Sequence, residues 1–221
     1  MSEARVCIRA GGLVLEGLVG EGGANGAVVV THPHPLYGGN MYNRVVAAIV
    51  EGYRREGYST LRFNFRGVGQ SGGGYSEGIG EQEDVETALN YFRERVKCSI
   101  DLAGYSFGAW VNAIATKKTA GLRRSILVSP PVNFMDFSRI EFNPKIELVI
   151  AASKDDIAPP EIIKKMLRKW NPEAKLRIIR DADHFYQGKT SEITEILQKF
   201  LRAGDTALHM PKSAAGPETD E

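Results

Sequence analysis

The sequence predicts an α/β protein: a mostly parallel, doubly wound sheet with helices on both faces, preceded by an antiparallel hairpin and without a large cap domain. Three observations carry this expectation. Solid apolar runs such as Ala27 to Thr31 (AVVVT) read as strands buried on both faces. Between such runs lie segments whose apolar residues recur at the helical period. Strand and helix then alternate to the end of the chain, the pattern of βα units that feed a parallel sheet.

The elements follow in order. Val6 to Arg9 and Leu13 to Val19 are short runs around Gly11-Gly12, as in a hairpin. After the glycine-rich turn GEGGANG comes the buried strand Ala27 to Thr31. A helix from about Asn40 to Glu56 puts Met41, Val45, Val46, Ile49, Val50 and Tyr53 on one face, and Ser59 to Phe65 returns as a strand. From about Gln82 to Val96 the apolar residues keep the helical period, with Glu81, Glu83 and Asp84 clustered in the first turn, where the dipole favours acids. Strand Ser99 to Ala103, helix Phe107 to about Lys118, and strands Ser125 to Ser129 and Glu147 to Ala152 come next. Pro159 and Pro160 open a helix where a missing N–H costs nothing. Leu176 to Ile179 is the last strand, and Ile193, Ile196, Leu197, Phe200 and Leu201 mark the closing helix. Residues 1–203 read as a single domain, and 204–221, small, polar and without an apolar face, as a disordered tail.

Composition narrows the classes of function. At 221 residues with 43% hydrophobic and 25% charged residues, the chain can fill one core of this kind. Lys and Arg total 28 against 27 acids, a net charge of +1, which leaves no broad basic face for nucleic acid. No run approaches the roughly 18 apolar residues of a membrane helix, and MSEARVCIRAGG has no apolar signal core. The expectation is a cytoplasmic protein with no nucleic-acid or membrane partner, monomeric or homodimeric. Cys7 and Cys98 match no metal or redox spacing and read as small buried hydrophobes.

The residues with chemical content begin at Gly104-Tyr105-Ser106-Phe107-Gly108, a G-x-S-x-G between a buried strand and a helix. A serine on that sharp turn holds its hydroxyl clear of the backbone, and the flanking glycines avoid collisions with strand and helix. A serine hydroxyl is a poor nucleophile until a base takes its proton and a third group orients the base. His209 lies in the tail, and His32 and His34 precede the serine in HPHPLYGG. His184, in DADHFYQG after the last strand, sits at the sheet edge where the other strands end. For the orienting acid, SKDDIAP after strand Glu147 to Ala152 offers Asp155 and Asp156. Asp155 is favoured because residues at a strand's end point at that edge while the next points away, leaving Asp156 to cap the following helix. Asp136 is a more distant choice.

The order Ser106, Asp155, His184, with GYSFG in a strand-turn-helix, resembles the α/β-hydrolase superfamily over about residues 5 to 203. FNFRGVGQSGG (Phe63 to Gly73) is similar to its D-x-R-G-x-G-x-S loop, with Asn64 for the usual Asp. SKDDIAP resembles its G-x-x-D-x-x-V-P acid loop, with Ala152 for Gly, and this alignment also selects Asp155. THPHPLYGGNMYNRVV resembles a small lidless branch related to dienelactone hydrolases, which themselves use Cys where this chain has Ser106. The resemblance implies a serine hydrolase whose acyl-transfer oxyanion meets two backbone N–H groups. One belongs to Phe107. The other comes from HPHPLYGG, where Pro33 and Pro35 cannot donate, which leaves Leu36 or Tyr37, with Leu36 slightly preferred.

Two further patterns carry less. His32 and His34 have no Cys or acidic partner at ligand spacing, so neither metal nor cofactor is expected. Gly67-Val68-Gly69-Gln70-Ser71-Gly72 is literally G-x-G-x-x-G but runs into more glycine instead of opening a helix, which argues against a dinucleotide site. Only Pro130 to Lys145 separates two strands where many hydrolases insert a lid, so a helical cap cannot fit. That insert places Phe134, Met135 and Phe137 near the catalytic edge, and Tyr37, Met41, Tyr42, Phe185 and Tyr186 are candidates to line the same cleft. The expected activity is cleavage of small to medium uncharged carboxylic esters, a small-molecule substrate class. Thioesterase, lactonase, amidase and peptidase activities use the same machinery, and the alternative from another class is a non-catalytic binding module.

Overall fold

The computed structural model describes residues 3–10, 12–116 and 121–209. Eight strands form one sheet in the order β1-β2-β4-β3-β5-β6-β7-β8. β1 (Glu3–Ala10) and β2 (Leu13–Gly20) make the antiparallel hairpin, and β2 runs antiparallel to β4 (Ser59–Phe63). The remaining neighbours, β3 (Ala27–Thr31), β5 (Ile100–Tyr105), β6 (Leu122–Val128), β7 (Ile146–Ala152) and β8 (Lys175–Ile179), are parallel, as is β3 to β4.

The apolar runs are continuous because both sheet faces are covered. In β3, Ala27 and Val29 face one core and Val28 and Val30 the other. α1 (Arg44–Arg55) and α5 (Thr190–His209) cover the second face with Val45, Ile49, Ile193 and Leu197. α2 (Ile79–Arg93), α3 (Phe107–Ala115) and α4 (Pro160–Trp170) cover the first with Leu89, Val111 and Leu167. The helices therefore cover both sides of the sheet, two on one face and three on the other, and every parallel strand ends at one carboxyl edge.

Local chemistry moves several boundaries. α1 starts at Arg44, not near Asn40, because the Asn43 side chain accepts from the Val45 N–H at 2.8 Å and caps the helix. α2 starts at Ile79 rather than Gln82, since the Glu81 carboxylate accepts the N–H groups of Ser76 and Gly78, each at 2.8 Å. Of the three acids expected in its first turn only Glu81 is there. Asp84 is buried and paired with Arg66 at 2.8 Å. The cysteine expectation is corrected: Cys7 is exposed and Cys98 half-buried. β1 is an edge strand whose inner face carries Val6 and Ile8 against α2, while Arg5, Cys7 and Arg9 lie on the uncovered face. α5 continues through His209, and the rest of the expected tail lies outside the described residues. No helix among the described residues is long and apolar enough to cross a membrane.

Candidate active site

β5 ends at Tyr105 and α3 begins at Phe107, so Ser106 alone makes the turn, with φ 53° and ψ −119°. A non-glycine residue there costs on the order of 1–3 kcal/mol and persists only where its surroundings hold it. Here the Ser106 N–H donates to Val128 O of β6 at 2.9 Å, and its carbonyl accepts from Trp110 N–H at 3.1 Å. The flanking glycines are required by close approach. A Cβ on Gly104 would lie 2.4 Å from Asn112 Nδ2 and 2.5 Å from Thr31 Oγ1. One on Gly108 would lie 2.6 Å from Thr31 Oγ1 and 2.7 Å from His32 O.

The strand ends bring the expected residues together. His184 Nε2 lies 2.9 Å from Ser106 Oγ, and its Nδ1 lies 2.9 and 3.0 Å from the two oxygens of Asp155. The carboxylate can only accept, so Nδ1 holds the proton and Nε2 accepts from the serine hydroxyl. Ser106 is 8% exposed, His184 7% and Asp155 3%, so the three are largely shielded from water rather than displayed on surface loops. Asp155 Oδ1 also accepts from Ile157 and Ala158 N–H at 3.0 and 2.8 Å. Burial pushes the Asp155 carboxyl up, but hydrogen bonding and charge from His184, with the Ala158 N–H and Ser129 hydroxyl, outweigh it and hold the group below the usual range. An arrangement of this connectivity can draw a proton from a serine hydroxyl.

The competing acids stand elsewhere. Asp156 is exposed, and its backbone carbonyl, not its carboxylate, accepts from Asn133 Nδ2 at 2.9 Å. Nor does it cap α4, whose N-cap is Pro159. Asp136 is exposed and accepts from Ser138 N–H.

Thr31 pairs with Gly104 in the β3/β5 register, which sets HPHPLYGG beside the Ser106 turn. Pro35–Tyr37 form a single 3-10 turn. The N–H groups of Leu36 and Tyr37, the two expected as second oxyanion donor, are both engaged within that turn. Leu36 N–H donates to His34 Nδ1 at 3.2 Å and Tyr37 N–H to His34 O at 3.1 Å. Gly38 and Gly39 N–H are likewise taken, by Pro35 O and His34 O. Among the described residues the His34 N–H has no such acceptor, nor has Phe107 N–H at the start of α3. His32 holds the same peptide: its Nδ1–H donates to Pro33 O at 2.7 Å while its Nε2 accepts from Phe65 N–H at 3.0 Å.

His32 is fully buried, and burial lowers its pKa to about 4, partly opposed by the bond to the Pro33 carbonyl. In the unfolded chain the imidazole takes up a proton near pH 6.5, before the folded form does. Stability from neutral His32 is thus complete above pH 6.5 and lost as pH falls toward 4. The expected loss by pH 4.5 is about 2–3 kcal/mol. Urea unfolding midpoints between pH 7.5 and pH 4.5 should fall more steeply for wild type than for His32→Asn, and equal slopes would remove His32 as the cause.

The cleft residues divide. Met41 and Phe137 are corrected to core: both are buried, and Phe137 lies 5.2 Å from the Trp170 ring. Tyr186 is also buried, hydrogen-bonded to Ser129. Met135 is half-buried against the core. Tyr37, Tyr42, Phe134 and Phe185 are exposed. Phe185 lies 5.7 Å from His184, and Tyr37 lies 4.9 Å from the His34 ring. Tyr42 instead borders a groove with Pro35, Asn64 and Gly69. Sequence reasoning missed Tyr75, whose hydroxyl meets His34 Nε2 at 3.2 Å and whose ring lies 6.0 Å from Phe107. It sits in a glycine-rich stretch without periodicity, so no pattern marked it. The G-x-G-x-x-G stretch opens no helix, since α2 begins only at Ile79. Asn64, standing for the resemblance's Asp, accepts from Met41 N–H and donates to Glu16, each at 2.8 Å.

No family model matches the chain. An uncharacterized protein of Rickettsia prowazekii (strain Madrid E) is 32% identical over 183 residues, covering 78% of this chain and 77% of the relative. An alpha-beta serine hydrolase homologue from Coxiella burnetii superposes with a TM-score of 0.85 at 30% identity, over 91% of this chain and 98% of that one. A serine hydrolase without a lid from Xanthomonas campestris gives 0.84 at 28% identity, over 92% and 95%. With an eight-stranded sheet, a hairpin at its edge and no cap between β6 and β7, the chain belongs to the α/β-hydrolase superfamily, in its small lidless branch.

Proposed function

We propose that this protein is a serine carboxylesterase cleaving small to medium uncharged esters through an acyl-enzyme. The observation that carries the reading is the continuous hydrogen-bonded path from Ser106 Oγ through the His184 ring to Asp155. His184 Nε2 takes the hydroxyl proton as Ser106 Oγ bonds to the ester carbonyl carbon. The carbonyl oxygen becomes an oxyanion, which receives the Phe107 N–H at the start of α3 and the His34 N–H, in place of Leu36 or Tyr37. Collapse of the tetrahedral species breaks the bond to the alkoxy oxygen, which leaves as the alcohol with the proton from His184. Water, deprotonated by His184, then attacks the acyl carbon, and collapse of the second tetrahedral species breaks the bond to Ser106 Oγ, which takes back the proton from His184 as the acid leaves.

Substrate size follows from the open surface. Residues 130–145 supply no cap, Phe134 of that segment is exposed, and the apolar groups beside the site, Tyr37 and Phe185, are exposed too. Apolar contact is worth roughly 25 cal/mol per Å² buried, so an uncovered acyl chain gains little from added length. Intact-mass analysis after fluorophosphonate treatment, on wild type and Ser106→Ala, alongside a short-to-long series of p-nitrophenyl esters, tests the reading. Labelling and turnover confined to wild type, with short chains cleaved fastest, are expected. A folded wild type that neither labels nor turns over would move the protein to a binding role, and faster cleavage of long chains would refute the size limit.

A further inference from the structure

We infer that Ser129 and Tyr186 are positioning residues that extend the relay to Tyr186, Ser129, Asp155 and His184 and lock the plane of the Asp155 carboxylate. The inference rests on the esterase reading above. Ser129 Oγ lies 2.8 Å from Asp155 Oδ2 and 2.7 Å from the Tyr186 hydroxyl. The carboxylate cannot donate, so the Ser129 proton goes to Oδ2, and the Tyr186 proton must then go to Ser129 Oγ. One arrangement of hydrogens satisfies the whole chain, and all of it is buried.

The division of labour at the carboxylate gives Ser129 its role. Oδ1 is held by two backbone N–H groups, from Ile157 and Ala158. Among the described residues, the hydroxyl of Ser129 is what holds Oδ2 apart from His184. His184 Nδ1 faces both oxygens, at 3.0 and 2.9 Å, so its direction depends on a carboxylate that cannot turn about its Cβ–Cγ bond.

Backbone strain points to the same place independently. Five described non-glycine residues have positive φ, and three of them are Ser106 (53°), Ser129 (42°) and Tyr186 (51°). Each costs energy, and their convergence on one hydrogen-bonded group is how such strain is distributed when a site over-determines its side chains. Ser129 is fastened by its N–H to Ile150 O at 2.8 Å, and the His184 carbonyl accepts from the Tyr105 hydroxyl at 2.8 Å. Tyr105 acts on Tyr186 of the cluster, and Arg44 and Asp183 act in turn on Tyr105.

Steady-state kinetics of Ser129→Ala and Tyr186→Phe on a short p-nitrophenyl ester, across pH 5 to 9, test this. Ser129→Ala should lower kcat by about ten- to a hundredfold, with KM changed by less than about twofold. Tyr186→Phe, which removes one oxygen from a fully buried ring, should lose less. In both, the acid limb of kcat/KM should move to higher pH: Ser129→Ala deprives the carboxylate of a donor, Tyr186→Phe weakens that donor by removing the bond that polarises Ser129 Oγ, and either change concentrates the carboxylate's charge on the imidazolium. A rate loss with an unmoved acid limb in both folded variants, or no rate loss at all, would overturn the inference. Should Ser129→Ala not fold, Tyr186→Phe decides alone by the same two readouts. Absence of fluorophosphonate labelling in wild type would overturn the esterase reading and this inference together, whereas a labelled wild type with indifferent variants overturns only the inference.

Discussion

Replacing His184 by alanine should lower kcat/KM for a short p-nitrophenyl ester by about ten-thousand- to a millionfold while leaving the protein folded. The chemical argument is that a serine hydroxyl loses its proton far above neutral pH unless a base stands within hydrogen-bond reach. His184 Nε2 is the ring nitrogen at that distance, 2.9 Å from Ser106 Oγ. The structural argument is that the segment is held by its backbone: the His184 carbonyl accepts from Tyr105, and Lys154 N–H donates to Ala182 O. Circular dichroism and thermal unfolding should therefore stay close to wild type. Fluorophosphonate labelling should slow in parallel with turnover, since both need the deprotonated hydroxyl. Rapid labelling in a folded His184→Ala would mean that another group activates Ser106.

Asp155→Asn should cost about ten-thousandfold in kcat, and Asp156→Asn less than about twofold. An amide at 155 can still accept the Ile157 and Ala158 N–H groups with its oxygen, so the loop geometry survives. Its NH2 then faces His184 Nδ1, and two donors cannot share that contact. The imidazole must present Nδ1 as acceptor and carry its proton on Nε2, where it can no longer take the proton of Ser106. Asp156 has no such partner among the described residues, and its link to the insert runs through its backbone carbonyl. Measuring the two variants side by side separates neighbours of identical chemistry, and equal losses would remove Asp155 from its role.

What could be read from one chain, and what could not, follows from the range of the forces involved. Ala27 to Thr31 was legible as a doubly covered strand because side chains alternate faces and every one of them is apolar. The start of α2 was not, since it depends on a Glu81 carboxylate folding back onto the N–H groups of Ser76 and Gly78, a contact with no periodic trace. Met41 and Phe137 show the same limit at the site: an aromatic or methionine near a strand end has the same identity whether it lines a cleft or closes a core. Cys7 was misjudged because burial of small thiols is a property of covered strands, and β1 is an edge.

By itself the sequence determined the βα alternation, the turn that bears Ser106, and the strand ends that carry Asp155 and His184, because each is a local pattern of polarity, glycine and chain position. Only the tertiary structure decided which groups share hydrogen bonds across strands. It committed the Leu36 and Tyr37 N–H groups to a 3-10 turn and, among the described residues, left that of His34 without an acceptor. It also joined Ser129 of the segment after β6 to Asp155 after β7 and to Tyr186 after β8. A hydrogen bond acts over about 3 Å and depends on direction, so its partners emerge only when the parallel register has brought residues distant along the chain to one edge of the sheet.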